Sequence, residues 1–258
     1  MRLATWNVNS LNVRMGRVEE WLAYAKPDVL CLQETKLADE KVPTLSLSAL
    51  GYEVAHSGAG QWNGVAILSR IGLEDVATEM AGDVGGERSR GRFVSARCGG
   101  LEVASVYVPN GRSVGSEHYL GKLEWLSLLE HHLESASPKP VPLAVCGDFN
   151  VAPDDRDVWD PTAFVGATHV SDAEREALQR LLKLGMVDAF RLCHQESGLY
   201  SWWDYRAGSF HKHLGMRIDL ILISEGLAAG VRFAVVDRNA RKGRQPSDHA
   251  PVLVDFDL

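Results

Sequence analysis

The chain has 258 residues, 45% hydrophobic and 24% charged, which excludes a disordered polypeptide and is enough for one large α/β domain. A net charge of −7 argues against a protein that coats nucleic acid, but leaves room for an enzyme that grips it through local cations. No run approaches the ~18 consecutive apolar residues of a membrane span, and the opening MRLATWNVNS lacks the apolar stretch of a secretory signal. A cytoplasmic protein without membrane attachment is expected.

In chain order, LATWNV (3–8) reads as a strand, and residues 14–25 as a helix with Val18, Trp21, Leu22 and Ala25 on one face. DVLCLQE (28–34), GVAILS (64–69), RFVSARC (92–98) and LEVASVYVP (101–109) read as further strands. A second helix covers 116–134, with Tyr119, Leu123, Leu126, Leu129 and Leu133 along one face. After the strand VPLAVCGDF (141–149), a third helix at 171–184 opens with Ser171 and Glu174 spaced as a capping box and stops at Gly185. RIDLILIS (217–224), VRFAVVD (231–237) and PVLVDFDL (251–258) complete the strands. Near-continuous apolar strands suit sheets covered on both faces. Many strands, few helices and no repeat or linker predict two packed sheets with helices outside, in one domain spanning 1–258. Cys31, Cys98, Cys146 and Cys193 are far apart with no Cys-x-x-Cys pair, so free thiols are expected rather than disulfides or structural zinc.

The polar residues are informative by position. Strand after strand ends in side chains fit for metal or phosphate chemistry: Asn7 and Asn9, Gln33 and Glu34, Tyr107 and Asn110, Asp148 and Asn150. Asp219 lies inside the apolar run RIDLIL, and Asp248 and His249 stand together in SDHAPV. An Asx turn explains Asp148-x-Asn150 as well as chemistry does, and the cationic stretches RNARKGRQ (238–245) and GERSRGR (86–92) suit either loops that meet phosphates beside an acidic metal site or solvated loops. Asp219 resists such a reading. A carboxylate among Ile218, Leu220, Ile221 and Leu222 must be buried, and burial demands a partner. His249 is the natural one, since a carboxylate fixes its tautomer and supports a charged imidazole.

Hard oxygen donors such as Glu34, Asp248 and the asparagines suit Mg²⁺ or Mn²⁺. Neither a phosphate-binding Gly-x-x-x-x-Gly-Lys-Ser/Thr loop nor a Gly-x-Ser-x-Gly elbow is present. A metal, an Asp, a His and several amide donors describe phosphodiester hydrolysis by activated water.

TWNVNS, LQETK, YVPNG, GDFN, RIDLIL and SDHAPV, in this order along the whole chain, resemble the endonuclease/exonuclease/phosphatase superfamily. The likeness is greatest to its exonuclease III branch of apurinic/apyrimidinic (AP) endonucleases. The resemblance implies a four-layer α/β sandwich with two central mixed β-sheets flanked by helices. It implies a divalent-metal nuclease that cleaves 5′ of abasic sites and trims 3′ ends of duplex DNA, including 3′ phosphates, acting as a monomer. Glu34 would bind the metal with Asn7 and Asp248 nearby. Asp148, held by Asn150, would orient or deprotonate the water; His249, oriented by Asp219, and Tyr107 would serve the scissile phosphate.

The stretch YSWWDYRAGSFHKHLGMRIDLILIS (200–224) points to the AP-endonuclease branch. By position, Trp202, Met216 and Ile218 would form an apolar pocket for a base-less sugar, too small for an intact nucleotide. Arg206 would lie at a wedge into the duplex, Asn110 on a phosphate, and Arg112 in the groove. Met216 stands where some relatives carry a large aromatic, and core packing competes as the role of at least one of Trp202 and Trp203. The same core in an inositol- or lipid-phosphate phosphatase would be expected to carry a headgroup loop in place of 200–218.

Overall fold

The computed structural model describes residues 1–136 and 141–258. In chain order the strands are β1 (Arg2–Asn7), β2 (Val29–Gln33), β3 (Glu53–Ser57), β4 (Val65–Ser69), β5 (Glu74–Ala77), β6 (Phe93–Cys98) and β7 (Leu101–Tyr107). They continue with β8 (Leu143–Asp148), β9 (Met186–Asp188), β10 (Trp202–Trp203), β11 (Gly215–Met216), β12 (Asp219–Ser224), β13 (Val231–Val236) and β14 (Val252–Phe256). The helices are α1 (Leu11–Ala25), α2 (Thr44–Ala49), α3 (Glu117–Ala136), α4 (Asp172–Lys183), α5 (Ala189–Cys193) and α6 (Ser209–Lys212).

Two six-stranded sheets form the centre, ordered β13-β14-β1-β2-β4-β3 and β5-β6-β7-β8-β12-β9. Each is mixed: β1 runs parallel to β2 and β7 parallel to β8, while the other pairings are antiparallel. Side-chain alternation explains why the strands read as unbroken apolar runs. Leu3, Val29, Cys31 and Ile67 face Val103, Ala144, Cys146 and Ile221 in a core between the sheets. The alternate residues Ala4, Trp6, Leu30 and Leu32 turn outward under α1 and α2. On the far side Phe93, Val106, Val145 and Leu220 pack under α3 and α4. The result is the expected α/β/β/α sandwich.

The long helices obey the apolar spacing. Val18, Trp21, Leu22 and Ala25 of α1 are all buried. The capping box of α4 forms as read, with Ser171 and Glu174 each accepting from the other's backbone N–H. Gly147 is required by closeness of chains: a Cβ there would stand 1.9 Å from the Val106 carbonyl oxygen. It lets β8 lie against β7 one residue before Asp148. All four cysteines are free thiols, three buried and Cys193 exposed. Among the described residues no helix is long and apolar enough to cross a membrane.

Candidate active site

Strand register gathers the polar ends at one edge of the sandwich. Tyr107 at the end of β7 and Asp219 at the start of β12 both pair with Asp148, so the three occupy one rung of the second sheet. Asn7 ends β1 in the first sheet, opposite Gln33. Its side-chain amide donates to both Glu34 and Asp148 at 2.9 Å, tying the two sheets together at the site. Glu34 and Asn150, each just beyond a strand end, take left-handed backbone conformations (φ 53° and 50°). Such conformations are uncommon without glycine and concentrate at functional sites.

The pairing expected from Asp219 is present. His249 Nδ1 lies 2.8 Å from Asp219 Oδ2, and Ser201 Oγ donates to the same oxygen at 2.6 Å. Asp219 is fully buried and His249 nearly so. Burial alone would lower the imidazole's pKa, but the charges of Asp219 and then Asp148 outweigh it and raise His249 to about 10. His249 Nε2 faces Asp148 Oδ2 at 3.8 Å. Burial drives the Asp148 carboxyl up to about 7, against the opposing pull of His249. Its other oxygen accepts from the Asn150 backbone N–H at 2.9 Å, the Asx turn anticipated for Asp-x-Asn.

Asp148, Asp219 and His249 bring potential ligand atoms within 4.8 Å of one another. They are nevertheless a poor metal cage. A protonated imidazole offers no lone pair, and Asp219 spends its oxygens on His249 and Ser201. Glu34 fits a hard cation better. It is partly open, and Lys36 Nζ already sits 2.9 Å from its Oε2, an ammonium where a metal charge would be welcome. Burial pushes the Glu34 pKa up, but the Asn7 donor and the Lys36 charge hold it below the ordinary carboxylate value. Asp248 stands nearby, accepting from Asn9 at 3.0 Å and from the Trp202 indole at 3.1 Å. The Tyr107 hydroxyl, expected on the scissile phosphate, donates here to Glu34 at 2.9 Å. Burial, then the charges of Glu34 and Asp148, raise its pKa well above the ordinary value, so it remains a donor.

The residues expected to meet DNA surround this centre unevenly. Asn110 donates to the Asn150 side chain at 3.3 Å, and the exposed Arg112 follows in a left-handed turn. Trp203 is the core tryptophan, fully buried, whereas Trp202 remains partly open. Trp202 pairs with Met216 in a two-residue ribbon. Met216 and Ile218 are each only 2% exposed, so they back Trp202 from beneath rather than line an open slot. Arg206 projects into solvent and, among the described residues, is paired only with Asp204.

Several contributors were not anticipated. Ser201 orients Asp219, Lys36 neutralises Glu34, and Arg92 lies over the Tyr107 ring at 4.7 Å. Lys122 is fully buried, donating to the Asn150 carbonyl at 2.6 Å and to Glu174. Its position three residues after Tyr119 and four before Leu126, on an apolar helix face, was the available signal. His169 Nδ1 also reaches the Asn150 carbonyl, at 2.5 Å. Burial and then the Lys122 charge hold His169 down at about 4, so at neutral pH it is uncharged and donates.

Comparison with known proteins agrees with this geometry. Residues 4–249 match the model of the Endonuclease/Exonuclease/phosphatase family. An exodeoxyribonuclease of Bacillus subtilis is 36% identical over 259 aligned residues, covering 98% of each chain. An AP endonuclease structure from Archaeoglobus fulgidus superposes with a TM-score of 0.95 at 36% identity, over 100% of both chains. A 3′ phosphatase structure from Neisseria, bound to product DNA hairpin, gives 0.96 at 39% identity, again over 100% of both. The chain therefore belongs to the endonuclease/exonuclease/phosphatase family, in its exodeoxyribonuclease III and AP endonuclease branch, and is a hydrolytic DNA-repair nuclease.

Proposed function

We propose that this chain, acting as one catalytic domain, hydrolyses duplex DNA on the 5′ side of abasic sites and processes 3′ ends, removing nucleotides and blocking phosphates. The observation that carries this reading is the buried Asp148 carboxylate, raised to about 7 and standing 3.8 Å from His249. Together they set a base beside a fixed positive charge, as water attack on a phosphodiester requires. Asp148 orients the water and takes its proton, its own position fixed by the Asn150 N–H and the Asn7 amide. His249, kept protonated by Asp219, holds the phosphate and offsets the charge that grows on it. Glu34, with Asn7 and Asp248 beside it, would hold Mg²⁺ or Mn²⁺, and such an ion supplies Lewis-acid charge to the phosphoryl oxygens. Tyr107 donates its one hydroxyl proton to Glu34 in this structure and keeps that carboxylate in place, and it would turn the same donor to the phosphate when Glu34 holds a metal.

Asn110 and Arg112 meet the strand on one side. On the other, Trp202 offers an apolar face to a base-less sugar, supported by Met216 and Ile218, and Arg206 reaches into the duplex. The names of the relatives, exodeoxyribonuclease, AP endonuclease and 3′ phosphatase, support both parts of the reading. The test uses an end-labelled duplex with one stable abasic analogue, a gapped duplex ending in a 3′ phosphate, and an inositol polyphosphate. Incision 5′ to the analogue and loss of the 3′ phosphate are expected with Mg²⁺ and not with EDTA. Phosphate release from the inositol compound with both DNAs intact would overturn the proposal.

A further inference from the structure

Three arginines are buried among the described residues, and two have carboxylate partners. Arg191 pairs with Asp157, and Arg217 with Asp157 and Asp188. Arg241 has none. It is 6% exposed; Nη1 donates to the Ser247 carbonyl, Nε is buried without a partner, and Nη2 makes no hydrogen bond among the described residues. Its guanidinium lies 4.7, 5.6 and 5.8 Å from the ring centres of Phe210, Tyr205 and Trp203. Aromatic faces compensate a buried cation only in part; burial lowers the Arg241 pKa, and the charge of Asp248 opposes that from a distance, without an ion-pair contact. The arrangement suits an anion that arrives from outside.

There is room for one. Arg241 lines a cleft of about 340 Å³ with Tyr205, Phe210, His211 and Lys242. Lys242 is exposed and its ammonium has no ion pair among the described residues. The one acid in the wall, Asp204, is taken up by Arg206 at 2.8 and 3.0 Å. Tyr205 separates the cleft from the catalytic corner. Its hydroxyl donates to the Pro246 carbonyl at 2.9 Å and accepts from Asn9, whose amide also donates to Asp248. A strand laid across Asp248 and His249 would bring a flanking phosphate to this cleft.

We propose that the cleft is a second phosphate subsite, in which Arg241 and Lys242 receive a backbone phosphate of the strand adjoining the hydrolysed one. The source of the phosphate rests on the DNA reading above, since inorganic phosphate carries the same chemistry.

The test is metal-free binding of a labelled duplex over a range of salt concentrations, comparing wild type with Lys242→Gln and Arg241→Met. Lys183→Gln, at the end of α4, controls for loss of charge. Each phosphate contact contributes ~0.9 to the slope of log K against log salt. Lys242→Gln is expected to lower that slope by about one and to weaken binding, while the Lys183 variant keeps the wild-type slope. Wild-type slope and affinity in Lys242→Gln would overturn the proposal, as would an equal fall in the control. Arg241→Met should lose at least as much. If it fails to fold, the Lys242 result decides alone. Should wild type not bind the duplex, the DNA reading fails and inorganic phosphate decides. A phosphate-induced rise in Tm that is smaller in Lys242→Gln keeps the subsite, and an equal rise removes it.

Discussion

Asp219→Asn keeps the shape of the buried side chain and removes its charge. His249 stands at about 10 against an ordinary 6.5, and Asp219 is the largest contributor to that rise. At ~1.36 kcal/mol per pKa unit, the difference sets a ceiling of roughly 5 kcal/mol on the preference for the charged imidazole. Most of it should vanish in the variant, because burial is then opposed by Asp148 and, more weakly, Asp248, without the Asp219 charge and its hydrogen bond. A preorganised charge on a reacting phosphate is worth ~3–4 kcal/mol, so kcat at neutral pH should fall ~10²–10³-fold. The assay is single-turnover cleavage of the abasic duplex, with the His249 ring titrated by NMR in both proteins. Stability should respond with a definite sign. A pKa raised in the folded state stabilises fully below pH 6.5 and is lost as pH climbs through about 10. The variant should therefore lose stability at neutral pH and show a flatter alkaline limb. Cleavage within about threefold of wild type, with the imidazole still charged at pH 9, would refute the assignment.

Asp148 must be ionised to act, so kcat should rise with an apparent pKa at or below about 7, and Asp148→Asn should abolish that limb along with at least ~10²-fold of the rate. Glu34→Gln should weaken Mg²⁺ binding ~10–100-fold by calorimetry, and excess Mg²⁺ should restore part of its activity; unchanged affinity would place the metal elsewhere. His169 is held at about 4 in the fold, so its contribution is intact above pH 6.5 and drains away toward pH 4. That loss has a ceiling of roughly 3 kcal/mol, and His169→Gln should remove this portion of the acid sensitivity in urea melts. Lys122→Met strands Glu174 in the interior and should cost about 3–5 kcal/mol of stability.

What could be read in the sequence was set by burial and register. Asp219 was legible because a carboxylate inside an apolar strand has to find a partner, and His249 was available. The strand-end positions of Asn7, Glu34, Tyr107 and Asp148 converge because both parallel pairs stop at the same edge of the sandwich. Other elements left weaker traces. Strand β5 is wholly exposed and β9 has only three residues, so neither carries an apolar pattern. The β10–β11 ribbon depends on pairing Trp202 with Met216 across a long loop, which no local propensity announces. Within the cationic run 238–245, Arg238 and Arg241 lie over Trp203 and Phe210, ring contacts that the run of charges does not announce. Ser201 and Lys36 acquire their roles only through contacts that folding creates. A lone serine or lysine near a motif does not declare its partner.

The most direct measurement is cleavage of the abasic duplex in isotopically labelled water, with Mg²⁺ or with EDTA, followed by mass analysis of the new 5′-phosphate end. Attack by a water held at Asp148 places one labelled oxygen on that phosphate with Mg²⁺ and leaves the EDTA sample uncut. Strand cleavage whose phosphate carries no label would mean that the bond breaks by elimination. In that case Asp148, His249 and Glu34 would not be the hydrolytic centre described above.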